Sequence, residues 1–189
     1  ACGLQILFCL LGAFFHSPFF GIQWGKGGEC MTFESITNYP RGTLLAILKS
    51  AYSLDARCEA CWGESWAEFD AFFYDRPQIA ESCGLMTALN GRPVGFVSWN
   101  PTFLPERVEI GHNGILAEFK GRGLGNAQMR EAVRRIASLK PGRIAVWTSE
   151  ICVPAQHMYE SAGFRRIGAR ENNDYDAFSG ARIDYELRL

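Results

Sequence analysis

The sequence predicts an α/β fold built on a mixed sheet, and three observations carry that prediction. From Met31 onward the apolar residues switch between a two-residue period and a helical one, in the order β-α-α-β-β-β-α-β-α-β-β. Hydrophobic residues make up 48% of the 189-residue chain and charged residues 21%, enough apolar surface for one domain with a real core. No linker or low-complexity tract interrupts residues 31–189, so these elements belong to one body.

The elements follow in order. MTFESITNY, from Met31, reads as a short strand, and residues 43–55 carry apolar side chains at helical spacing. Residues 59–75 form a second helix, rich in aromatics and closed by Pro77. Residues 84–99 read as a hairpin, because two apolar runs flank Asn90-Gly91, whose side chains suit a type I′ turn. Residues 107–116 are a further strand. Residues 126–139 are an amphipathic helix: Met129, Ala132, Val133, Ile136 and Leu139 form one stripe, and Arg130, Glu131, Arg134 and Arg135 cover the other face. Pro141-Gly142 ends it. Residues 143–149 are a buried type of strand, residues 154–162 a short helix with Gly163 at its C-terminus, and two strands lie at 165–170 and 182–189.

Charge and cysteine content exclude several functions. The formal net charge is -1, so no global basic field exists and no nucleic-acid partner is expected. Seven cysteines at irregular spacing, Cys2, Cys9, Cys30, Cys58, Cys61, Cys83 and Cys152, read as free thiols in a reducing compartment, here the cytoplasm. Cys58-Glu59-Ala60-Cys61 has the spacing of half a zinc site. No second such pair exists, and the histidines are His16, His112 and His157, so no metal is expected and the two cysteines read as small apolar residues on a helix.

Residues 1–30 stand apart. They hold no Lys or Arg before Lys26, and the apolar run from Ile6 to Phe15 is too short to span a bilayer. They are expected to lie outside the domain, as an upstream extension or a misplaced start before Met31. The alternative is a weak membrane anchor, so membrane contact is expected only if these residues are retained.

The stretch FKGRGLGNAQ, from Phe119, places Gly121, Gly123 and Gly125 between a strand and a helix, with Lys120 and Arg122 among them. Such a turn exposes several N–H groups beside the positive end of a helix, an anion site for phosphate or pyrophosphate, and the missing Cβ atoms let a ligand reach the main chain. The structural alternative is a plain tight turn. The pattern is not GxxxxGK[ST], and its GxGxG spacing after several strands is not the dinucleotide fingerprint.

The run from Ile115 to Gly125 resembles the acetyl-CoA loop of the GNAT N-acetyltransferase superfamily, R/Q-x-x-G-x-G/A after an apolar strand. Ala155-Gln156-His157-Met158-Tyr159-Glu160-Ser161-Ala162-Gly163-Phe164 is similar to the superfamily's second signature, A-x-x-x-Y-E-x-x-G-F. The resemblance covers residues 31–189. It implies the acyl-CoA N-acyltransferase fold, a mostly antiparallel central sheet of about six to seven strands flanked by about four helices. It also implies transfer of acetyl from acetyl-CoA, a co-substrate, to a primary amine of a small molecule or peptide, and it leaves room for a homodimer. The cofactor-binding residues it implies are Ile115, Leu116, Ala117, Lys120, Gly121, Arg122, Gly123, Leu124, Gly125 and Asn126. Lys120 replaces the usual Arg or Gln, Ala117 a frequent proline, and Cys152 an asparagine that touches the cofactor in many members.

Acetyl transfer needs a base for an ammonium of pKa about 10.4, donors for an oxyanion, and an acid for a thiolate of pKa about 8.5. The resemblance implies Tyr159 as that acid; the alternative is a packing tyrosine. For the base, Glu109 lies eleven residues before Lys120, where the histone-acetylating branch carries its glutamate, and His112 is intrinsically tuned closer to neutrality. A regular strand points these two to opposite faces, but Gly111 and Gly114 flank His112-Asn113 and predict a β-bulge that re-aims them. A water chain is the third choice of base. The acceptor pocket is expected among the early helices, where Trp62 and Trp66 stand four apart, Phe69, Phe72 and Phe73 read as core, and the acids from Asp70 to Asp75 either attract a cationic amine or form a solvated face. Two other classes stay open: a catalytically inactive, CoA-holding module of the same fold, and a nucleotide-binding regulator.

Overall fold

The computed structural model describes residues 22–24, 29–171 and 180–189, the first three by their backbone. Cys2, Cys9 and His16 lie outside the described residues. Among the described residues, eight strands form one sheet: β1 (Ile22–Trp24), β2 (Glu29–Glu34), β3 (Gly84–Leu89), β4 (Arg92–Asn100), β5 (Arg107–Ile115), β6 (Arg143–Ser149), β7 (Arg165–Glu171) and β8 (Ala181–Arg188). Their order is β1-β2-β3-β4-β5-β6-β8-β7, and every neighbouring pair is antiparallel except β5 and β6. Five α-helices among the described residues accompany them: α1 (Thr43–Ala51), α2 (Ala56–Tyr74), α3 (Pro77–Ser82), α4 (Leu124–Ala137) and α5 (Val153–Ser161).

Each sheet face buries its own core. Phe96 and Met86 pack with Leu44, Ile47 and Leu48 of α1 and Trp66, Phe69 and Phe73 of α2. Val97, Val108, Ile110, Ile144 and Val146 pack on the opposite side with Met129, Ala132 and Ile136 of α4 and with Tyr159 of α5. This is the strand alternation of period two, read out as two cores. The hairpin turn is as expected, with Asn90 at φ 51° and Gly91 at φ 77°.

Several boundaries differ from the sequence reading, among them α1, which ends at Ala51 rather than 55, and α2, which starts at Ala56 rather than 59. The sheet gains β1 inside the stretch 1–30, and Glu29 and Cys30 already belong to β2, so ordered structure starts upstream of Met31. Pro77 does not simply close α2: at its first turn it opens α3, a position where its missing N–H costs nothing. Helix α4 ends at Ala137, which leaves Leu139 beyond the stripe and 42% exposed. In α2, Cys58 is buried in the core and Cys61 packs against it. No helix among the described residues is long and apolar enough to cross a membrane.

Candidate active site

The sheet opens where its parallel strands meet. β5 and β6 pair only at Arg107 with Arg143, Val108 with Ile144, and Glu109 with Ala145. Beyond that, residues 110–115 of β5 and 146–149 of β6 run on without pairing, while β4 and β8 hold their outer edges. The result is a fork, closed at the N-terminal ends of both strands and open toward the end of β5.

The glycine loop sits at the open end. Leu116 N–H donates to Val94 O (2.8 Å) and Ala117 N–H to Ser50 Oγ (3.0 Å), which ties the chain leaving β5 to β4 and α1. Gly121 (φ 75°) and Gly123 (φ 79°) are left-handed, and a Cβ at Gly121 would meet nothing within 4 Å. Gly123 is the N-cap of α4 and has no side chain to offer. The N–H groups of Leu124, Gly125 and Asn126 therefore start a 14-residue helix without an intrahelical acceptor or a capping side chain. Gly125 has a packing reason as well: a Cβ there would stand 3.3 Å from Met158 Sδ of α5 and 3.7 Å from Ile115 Cγ1. The two cations face elsewhere. Lys120 Nζ donates to Ala51 O at the end of α1, and the Arg122 guanidinium pairs with Glu29. The positive end of this cradle is thus made of backbone.

Tyr159 reaches into the fork from α5. It is 3% exposed, its ring lies 5.8 Å from those of Phe164 and Tyr185, and its Oη accepts a hydrogen bond from Asn113 Nδ2 on β5 (2.9 Å). Burial pushes the phenol up to about 12, while the Asn113 contact pulls it down. It keeps its proton at neutral pH. Asn113 escaped the sequence reading, although Ile110 and Ile115, five apart and both core residues, signal that the strand between them changes phase. Cys152, just ahead of α5, hydrogen-bonds Thr148, and burial pushes its thiol up, so it is a protonated and weakly nucleophilic sulfur.

The expected bulge is present. Val97 pairs with Asn113 and Trp99 with Ile110, so Ser98 alone faces Gly111 and His112. His112 turns to the α2 side, its ring 4.6 Å from that of Phe69, and burial lowers its pKa from 6.5 to about 4. Glu109 alternates with the core residues Val108 and Ile110 and so shares the α2 side of the sheet with His112; its Oε1 accepts from Arg107 Nε (2.8 Å). Of the acids in 70–75, Asp75 is exposed, as a solvated face requires, and Asp70 does neither of the things expected of it. Asp70 is buried and accepts from the N–H groups of Gly42, Leu44 and Leu45 at 2.9–3.2 Å, capping α1, and Asp75 pairs with Arg41. Trp62 and Trp66 pack with Tyr52 at the turn between α1 and α2.

A mixed sheet forked at its parallel pair, with an uncapped helix start at the fork's mouth, defines the acyl-CoA N-acyltransferase fold. The acetyltransferase (GNAT) family profile matches residues 48–164, more than half of the chain, and the chain belongs to that family. It is similar to N-acetylaspartate synthetase of Danio rerio (27% identical over 137 residues, 72% of this chain and 43% of that protein) and of Homo sapiens (25% over 151 residues, 80% and 45%). The chain spans less than half the length of these curated relatives. Among solved structures it superimposes on the ribosomal-protein-S18-alanine N-acetyltransferase of Escherichia coli with a TM-score of 0.62 at 16% identity, covering 85% of this chain and 94% of that one. It superimposes on a Salmonella typhimurium acetyltransferase-fold protein holding acetyl-CoA with a TM-score of 0.65 at 16% identity (84% and 94%). These likenesses bear on the fold.

Proposed function

We propose that the chain transfers the acetyl group of acetyl-CoA directly to a primary amine. The observation that carries this reading is the pairing of an uncapped α4 N-terminus with a protonated, buried phenol inside the same fork. The amides of Leu124, Gly125 and Asn126 and the left-handed Gly121 and Gly123 would hold the pyrophosphate, with Ile115, Leu116 and Ala117 along the arm. Lys120 and Arg122 contribute only if they leave Ala51 and Glu29. The unpaired edge of β5 offers N–H groups for the oxyanion. Tyr159 protonates the departing sulfur.

The amine arrives from the α2 side, where Glu109 and His112 both point. Glu109 Oε1 accepts from Arg107 Nε, and an imidazole lowered to about 4 gives up its proton too readily to serve as the base. We therefore assign deprotonation to Glu109 acting through water. The names of the relatives make L-aspartate the first acceptor to try; Arg107, Arg143 and Arg170 line the pocket on that side but already pair with Glu106, Glu109, Glu186 and Asp184, so an acidic acceptor would have to displace one of those carboxylates.

A second reading, a CoA-holding module without catalysis, draws support from the lowered His112 imidazole. Release of CoA thiol is the deciding measurement, with L-aspartate, other amino acids, a peptide N-terminus and a polyamine as acceptors. Thiol release with one of them supports transfer. Calorimetric binding of acetyl-CoA with no release above hydrolysis supports the second reading, and no binding defeats both.

A further inference from the structure

We propose that Asn113 is a positioning residue for the transfer: its side-chain amide holds the Tyr159 hydroxyl so that the phenol's proton points to the departing sulfur. The inference rests on the reading of Tyr159 as the acid.

The bulge is what puts Asn113 in reach. Ile110 packs under α4 and α5, and Ile115 packs against Leu124 and Ala127 of α4, on the same side of the sheet. An interval of five sends two residues of an unbroken strand to opposite faces. The extra residue opposite Ser98 restores the phase, and it exchanges the residues between. His112, which a regular strand would send under α5, goes to Phe69. Asn113, which a regular strand would align with Glu109, goes to Tyr159. Ser98 secures the bulge by donating Oγ–H to His112 O (3.1 Å), and a Cβ at position 111 would lie 2.7 Å from Ser98 Oγ, so a side chain there would push that hydroxyl away.

The chemistry follows from the atoms. A phenol has one proton to give and two lone pairs to receive. Asn113 Nδ2–H occupies one lone pair, and among the described residues nothing accepts the Tyr159 proton. The contact thus fixes the hydroxyl's rotation and leaves its hydrogen free for a substrate. As the carbon–sulfur bond breaks, its electron pair stays on sulfur and the Tyr159 proton moves there. The phenolate left behind is stabilised by the Asn113 donor, and it regains a proton through solvent from the nitrogen, which attacked as a neutral amine and became positively charged on bonding to carbon. A packing role needs none of this, since the ring is already held by Phe164 and Tyr185.

The test uses Asn113→Ala and the isosteric Asn113→Asp, each alone and combined with Tyr159→Phe, with calorimetric acetyl-CoA binding as the check on folding. One measurement needs no acceptor. Near-ultraviolet phenolate absorbance after a rapid pH jump, taken as the difference from Tyr159→Phe, isolates the ionisation of Tyr159. Its midpoint should rise in both Asn113 variants, and an unmoved midpoint overturns the proposal. The other measurement is single-turnover transfer from acetyl-CoA to L-aspartate. Asn113→Ala should slow it about tenfold, as expected for one hydrogen bond, with acetyl-CoA affinity unchanged. Asn113→Asp should be at least as slow, because a carboxylate cannot donate and draws the phenol's proton to itself. Both losses should vanish in the Tyr159→Phe background. A mild Asn113→Asp, or an equal loss in that background, makes Asn113 a packing residue and overturns the proposal. If the parent acetylates no amine, the transfer reading fails on its own, and the midpoint still decides whether Asn113 holds Tyr159.

Discussion

Helices α1 and α4 both start behind a left-handed glycine, Gly42 at φ 92° and Gly123 at φ 79°, and neither N-cap has a side chain. At α1 the protein supplies the missing anion itself. Asp70 crosses from α2, takes three N–H groups and leaves no room for anything else. At α4 nothing comparable crosses over among the described residues, and two acids beside the loop, Glu118 and Glu29, engage Arg92 and Arg122. Same start, same dipole, opposite completion: an inward-facing helix end is filled by the fold, and a helix end at the mouth of the fork is left to a ligand.

The largest expected effect comes from making α4 resemble α1. Gly123→Asp places a carboxylate at the N-cap, where it takes the free amides and repels pyrophosphate. Acetyl-CoA affinity by calorimetry should fall on the order of 10³-fold, about 4 kcal/mol, while the left-handed backbone at position 123 costs about 1–2 kcal/mol of stability, read separately by thermal unfolding. Retained affinity would mean that the phosphates bind elsewhere. The reverse experiment is Asp70→Ala, which strips α1 of its cap and leaves buried amides unsatisfied. Urea unfolding should show a loss of about 3 kcal/mol, and the folded fraction should bind acetyl-CoA as before.

The next effect concerns how dry the α2 side is. His112 packs on Phe69, the neighbour of Asp70, and its folded pKa of about 4 lies below the ordinary 6.5. Between those values the unfolded chain takes up a proton that the folded chain refuses. Stability is therefore full above 6.5 and is lost as pH falls toward 4. In His112→Phe the drop in urea midpoint from about pH 7 to about pH 5 should shrink; an identical drop would show that other groups carry it. The smallest effect is expected at Gly125→Ala. The added methyl meets the flexible end of Met158, which can give way, so acetyl-CoA affinity should change by less than about threefold.

Which of these features the sequence disclosed follows from how local each one is. The glycine loop and the Asn90-Gly91 turn were legible because single residues there need left-handed backbone. The strands and helices were legible from periodicity, apart from α3, too short for a period to show, and β1, three residues inside an atypical stretch. The bulge was legible from its glycines, yet its outcome was not. Whether Asn113 or His112 meets Tyr159 depends on a phase change set by Ser98, a residue on the neighbouring strand. Asp70 was misjudged for the same reason: its partners lie 25 to 28 residues away, on a helix whose crossing over α2 no local pattern encodes. The loop cations were expected at the cradle, and the partners that hold them, Ala51 and Glu29, are still farther off, 69 and 93 residues away in sequence.

The fork also bears on how the molecule comes apart. Strands β1 to β5 form one ladder, largely of chain neighbours, and β6, β8 and β7 form a second. Three residue pairs join the two within the sheet, against seven between β6 and β8. Breathing should therefore occur along that seam, with the two ladders behaving as separate cooperative units in amide hydrogen exchange. A ligand seated in the fork would touch both. Its binding would lock two independently opening halves into one, slowing exchange in β6 and β8 although they lie beyond the glycine loop that holds its phosphates.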